Sequence, residues 1–156
     1  MAEQRTRFVG IYEHGLDDKG RMVLPAKIRA QLGETGMVGM ADRCLGLWTV
    51  EGFDAMSDRL ADSVEAGVAP KDTLRAFMAY AAEVTPDQQG RVVIPQVLRD
   101  YAELGSEVVV NGCRDKAEIW DRARWEALSE SLIGGSADGS ADGIPDVRST
   151  MAALHV

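Results

Sequence analysis

Two arginines, Arg21 and Arg91, each stand four residues after an aspartate, Asp17 and Asp87. In Asp17-Asp18-Lys19-Gly20-Arg21 and in Asp87-Gln88-Gln89-Gly90-Arg91, a three-residue loop sets acid and base facing each other across a hairpin. Glycine closes each loop, at the position that needs positive φ. Such a pair has two physical readings. As a cross-strand ion pair it stiffens the turn by about 0.2–1 kcal/mol. As an oriented donor it holds a planar guanidinium ready for a phosphate or a guanine edge. Spacing alone does not choose between them. Lys19 sits in the first loop, and Lys27 and Arg29 follow on a short helix where they would also serve as an ordinary solvated face.

Other chemistries find little support. Asp17 and Asp18 are adjacent acids, but they lie in a tight turn with no nucleophile beside them. The glycine signatures of dinucleotide and nucleoside-triphosphate sites are missing, as is the G-x-S-x-G elbow of hydrolases. The histidines are His14 and His155, and the cysteines are Cys44 and Cys113; none falls in metal-ligand spacing. No metal and no cofactor is expected, and the chain is read as a non-enzyme. Both cysteines are expected as free thiols in a reducing compartment. His14 reads as a surface residue, and Arg5 and Arg7 as a frayed end ahead of a basic arm.

The elements that hold these residues occur twice. Glu13 through Pro25 matches Glu83 through Pro95 at an offset of 70, with Glu13/Glu83, Asp17/Asp87, Gly20/Gly90, Arg21/Arg91 and Pro25/Pro95 identical and Arg29/Arg99 following. Farther on the offset is 72: Leu47-Trp48 matches Ile119-Trp120 and Phe53 matches Trp125. Each copy predicts a strand ending near the aspartate and a turn. A second strand follows, with Met22 and Leu24 (or Val92 and Ile94) on one face and the arginine on the other. Proline then opens a short helix. Two more strands follow: Met37–Met40 and Cys44–Thr49 in the first copy, Glu107–Asn111 and Ala117–Trp120 in the second. A longer helix closes each copy, marked by Phe53, Met56, Leu60 and Val64 in the first and running over 122–132 in the second. Leu74, Phe77, Met78 and Ala81 predict a linker helix. Trp48, Trp120 and Trp125 read as core anchors. The resulting division is repeat one over 8–53, a helical linker over 54–82, repeat two over 83–132 and a flexible acidic tail over 133–156, where Gly134–Gly143 is small, polar and acidic.

The chain has 156 residues and a formal charge of −8, which opposes bulk attraction to a polyanion. The charge is segregated, however. Residues 1–33 carry six Lys/Arg against four acids, a net +2, and the remainder carries −10. No stretch has the ~18–20 apolar residues of a membrane span, and the first residues have no apolar signal core. A cytoplasmic location is the expectation.

Tyr12 through Arg21, with Leu24-Pro25-Ala26-Lys27-Ile28-Arg29, resembles the first repeat of the MraZ family. Glu83 through Pro95, with Glu118-Ile119-Trp120-Asp121 and Trp125, resembles its second. The likeness covers roughly residues 7–132. It implies an α+β fold of two tandem AbrB-like repeats, with interleaved β-strands in a β-barrel-like core and helices packed outside. It also implies a transcriptional regulator of the bacterial division and cell-wall gene cluster. That regulator would be a head-to-tail homo-oligomeric ring, nucleoid-associated, binding direct repeats in double-stranded promoter DNA upstream of its own operon, usually as a repressor. Carried over residue by residue, the DNA-facing loops are Asp17 with Arg21 and Asp87 with Arg91, with Lys19, Lys27 and Arg29 as additions. The chain departs from the family pattern in its residues before Phe8, in its tail, and in Gln88-Gln89, which makes the second loop the less basic one. The alternative is an AbrB-like oligomeric scaffold that does not touch DNA; retardation of a promoter fragment discriminates the two.

Overall fold

Turn, proline and hydrophobic period all act locally, and each delivers the element it predicts. The computed structural model describes residues 5–134 and 146–155. In the first repeat β1 (Ile11–Gly15) leads through the Asp17 turn to β2 (Arg21–Val23), and Pro25 then opens α1 (Ala26–Leu32). The hairpin β3 (Gly36–Met40) and β4 (Leu45–Thr49) follows, then α2 (Val50–Glu65) and α3 (Lys71–Tyr80). The second repeat is β5 (Ala82–Val84), β6 (Arg91–Val93), α4 (Gln96–Tyr101), β7 (Glu107–Cys113) and β8 (Lys116–Asp121). It is followed by α5 (Arg122–Ile133) and α6 (Val147–Leu154). The class is α+β, as the resemblance implies.

The strands interleave. The large antiparallel sheet runs β1-β7-β8-β4-β3-β5, while β2 and β6 form a separate two-stranded ribbon. Each repeat thus gives its first strand to the other repeat's hairpin: β1 pairs with β7, and β5 pairs with β3. The two hairpins meet at β4 and β8. Gly46 faces Glu118 across that seam, and Met22 faces Val92 across the ribbon. Both pairs join matching positions of the two copies, so an approximate twofold axis passes through them.

The inward face of the ribbon (Met22, Leu24, Val92, Ile94) packs with sheet residues such as Val38, Leu47, Val110 and Ile119 and with Ile28 and Leu98 of the short helices. A second cluster lies under α2 and α3, where Trp48, Phe53 and Phe77 pack with ring centroids 5.2–5.9 Å apart. Thr49 caps α2 by accepting from the Gly52 amide at 2.9 Å.

The chain divides into two compact units, residues 1–121 and 122–156. The first holds every strand, because the exchange of β1 and β5 ties the repeats into one body. In the second, α5 has no buried residue, and Trp125 is half-buried where a core anchor was expected. Helix α6 is a feature the sequence reading did not separate from the tail. Asp146 starts it, its carboxylate accepting from the Ser149 amide at 2.7 Å. The flexible extension expected over Gly134–Gly143 lies, beyond Gly134, outside the described residues. Trp48 and Trp120 are buried, as is Cys44, whereas Cys113 is exposed; both thiols are free. Among the described residues, no helix is long and apolar enough to cross a membrane, and no three His, Cys, Asp or Glu side chains group to hold a metal.

Candidate nucleic-acid interface

The Asp17 turn is built by its own polar groups. The backbone closes it with Asp17 N–H donating to the Arg21 carbonyl and Gly20 N–H to the Asp17 carbonyl, both at 3.0 Å. One carboxylate oxygen, Oδ1, accepts from the amides of Lys19 (3.0 Å) and Arg21 (2.8 Å), and Oδ2 accepts from Arg21 Nε at 2.7 Å. The second turn repeats this pattern: Asp87 accepts from the Gln89 amide, the Arg91 amide and Arg91 Nε, all at 2.9 Å. The hydrogen bond from the arginine's backbone amide, followed by that from its guanidinium, holds each carboxyl below the usual range. Both acids are therefore ionised at neutral pH. Gly20 and Gly90 sit at φ of 82° and 80°, the left-handed region a side chain resists.

Ion pairing and guanidinium orientation, left open by the spacing, coexist. Asp17 takes only Nε of Arg21, which fixes the guanidinium plane; among the described residues, no intramolecular partner of its two terminal nitrogens occurs. Arg91 is held the same way.

Ribbon pairing then joins the two loops. The β2–β6 register sets Arg21 opposite Val93 and Val23 opposite Arg91, so those four side chains share the exposed face while Met22 and Val92 are buried beneath. The ladder continues through Ile94 N–H to the Gly20 carbonyl (2.7 Å) and Leu24 N–H to the Gly90 carbonyl (2.9 Å). An open depression of about 380 Å³ is lined by Asp17, Arg21, Val23 and Arg91, together with Leu16 and Ser106.

The remaining candidates lie elsewhere. Asp87 and Arg29 line a second depression of about 440 Å³ with Gln88 and Glu34. Lys19 and Lys27 are exposed and line neither. Arg29 is half-buried, its guanidinium against the Gly90 backbone so closely that a Cβ there would collide with it. Arg99 is its counterpart under the first turn: a Cβ on Gly20 would lie 2.8 Å from its Nε, which donates to the Ile94 carbonyl at 2.9 Å, while Nη1 donates to the Asp18 carbonyl at 3.4 Å. Each repeat thus braces the other repeat's loop.

Arg99, Val23 and Val93 were not singled out from sequence. Arg99 had a signal, its match to Arg29. The valines carried only a period of two, which says that they face away from Met22 and Val92.

Comparison with known proteins places these features in a family. The model of the family MraZ protein, described as antitoxin-like, matches twice, at residues 8–73 and 77–142. A Bifidobacterium longum protein named transcriptional regulator MraZ is 39% identical over 149 residues, spanning 95% of this chain and 99% of its own. Proteins of the same name from Frankia alni and Salinispora arenicola are 41% and 42% identical. They cover 90% and 80% of this chain and 99% and 89% of their own.

Proposed function

The chain belongs to the MraZ family, and we propose that it regulates transcription by binding double-stranded promoter DNA through the β2–β6 ribbon. The observation that carries this reading is that Arg21 and Arg91, 70 positions apart, share one exposed ribbon face, each with its guanidinium oriented by an aspartate and, among the described residues, with no intramolecular partner on its terminal nitrogens. A major groove about 12 Å wide admits a two-stranded ribbon. Arg21 and Arg91 contact phosphate or guanine, and Asp17 and Asp87 hold them in plane. Lys19 and Lys27 add phosphate contacts, and Arg29 supports the second turn. The acids of the loops are committed to hydrogen bonds, and we assign the chain no catalytic role.

An acidic protein with two or three phosphate contacts per subunit binds weakly alone. Head-to-tail self-association into a ring, presenting identical ribbons to direct repeats, raises affinity by ~10²–10⁴ without a new contact. In this reading the DNA lies upstream of the chain's own operon in the division and cell-wall cluster, the protein represses it, and the regulator works on the nucleoid in the cytoplasm.

Fluorescence anisotropy with DNA from upstream of the protein's own gene tests this. Wild type is expected to bind with an affinity that falls as salt rises, and Arg21→Ala to bind more weakly. Equal affinity of the two would remove the site assignment. No binding at low salt would favour the scaffold.

A further inference from the structure

The ribbon face is not uniformly polar. Val23 is 42% exposed and Val93 57% exposed, and neither contributes to the core beneath. Strand propensity accounts for valine in a ribbon, but it does not account for what the register does with these two. Each valine stands directly opposite an arginine, Val23 with Arg91 and Val93 with Arg21. The two valines lie on one diagonal of the face and the two arginines on the other, each diagonal about 7–8 Å at the backbone.

Resting on the DNA-binding reading above, we infer that Val23 and Val93 read the C5-methyl groups of thymine in the major groove beside the bases or phosphates met by Arg21 and Arg91. Three features of the face support this. The thymine methyl is the apolar group that base pairs present in that groove, and an aliphatic side chain is its complement. Within each strand, arginine and valine are two residues apart, about 6.6–6.8 Å, close to two base steps of 3.4 Å. The approximate twofold axis through Met22 and Val92 runs the two Arg–Val units in opposite directions, as the two DNA strands run. Each unit therefore addresses one strand, and the flanking guanidiniums give the apolar centre its charge complementarity to a polyanion.

The test uses the full-length protein and a duplex of the region upstream of its own gene, prepared once with thymine and once with deoxyuridine at every thymine. The base edges keep their donors and acceptors, and only the methyls are lost. Wild type is expected to bind the uracil duplex at least about four-fold more weakly, the equivalent of about 0.8 kcal/mol per buried methyl-sized group. The double variant Val23→Ala/Val93→Ala, checked for an unchanged circular dichroism spectrum, is expected to bind the two duplexes equally. Equal affinity of wild type for both duplexes overturns the thymine reading and leaves the DNA-binding reading standing. Discrimination that persists in the double variant also overturns it, since DNA shape would then carry the preference. Failure of wild type to bind either duplex overturns both.

Discussion

Replacing Arg21 by lysine separates charge from geometry at the ribbon. Asp17 Oδ2 accepts from Nε at 2.7 Å, leaving two parallel terminal donors for a bidentate contact. Lysine keeps one positive charge but concentrates its donors on a single nitrogen. If that nitrogen serves Asp17, no fork remains for a ligand. A bidentate contact is worth about 1–3 kcal/mol, so affinity for the upstream duplex should fall about 5–150-fold in Arg21→Lys. Because the charge survives, the slope of log affinity against log salt should stay near that of wild type. Arg21→Ala loses fork and charge, so its slope should also shallow by about 0.9 for every copy of the contact. Anisotropy titrations at four or five salt concentrations measure both quantities. Wild-type affinity in Arg21→Lys would refute the planar role and reduce the Asp17–Arg21 pair to a turn brace. A shallower slope in Arg21→Lys would mean that the ammonium no longer reaches the position of the guanidinium.

Other perturbations probe the frame. Arg99→Ala strips the donors to the Ile94 and Asp18 carbonyls; a loss of about 1–3 kcal/mol in urea unfolding and faster amide exchange at Gly20 are expected, and unchanged exchange would rule out the brace. Gly67→Ala and Gly20→Ala share a left-handed φ (75° and 82°), but nothing lies within 4 Å of a Cβ on Gly67 whereas one on Gly20 would stand 2.5 Å from the Ile94 carbonyl oxygen. The first should cost about 1–2 kcal/mol and the second clearly more, and equal unfolding midpoints would contradict the close packing of Gly20 against the ribbon. Phe77→Ala, from the centre of the Trp48 cluster, should cost about 3–5 kcal/mol in denaturant unfolding and detach α3 first by hydrogen exchange. Asp17 and Asp87 have lowered pKa values in the fold, so their contribution to stability is present above the ordinary carboxylate value of 3.8 and is lost as pH falls through the lower, folded values. Asp17→Asn should flatten the acid limb of a thermal-melt profile, and an unchanged acid limb would show the carboxylate to be idle.

Much of the site is legible because its chemistry is local. The Asp-x-x-Gly-Arg spacing is itself a hairpin loop, so the carboxylate–guanidinium pair is written within five residues. Arg29 misleads for the opposite reason. Its position on a short helix suggests solvent, yet its guanidinium packs on Gly90, 61 residues away in sequence. The apolar spacing of Trp125, Leu128 and Leu132 predicts a helix and one arrives, but periodicity does not set depth, and no residue of α5 is buried.

The sequence by itself determined the duplication, the two turns, the faces of β2 and β6 that point inward and the pairing of each arginine with its aspartate. All of these depend on neighbours within a few residues. Tertiary structure alone decided which strands meet. β1 and β5 hold equivalent places in the two copies, and nothing in either strand says whose hairpin it should join. The exchange of β1 to β7 and β5 to β3, with β2 laid against β6, is chosen by burial of one common core. That choice turns two separate arginines into one surface, and no short-range pattern encodes it.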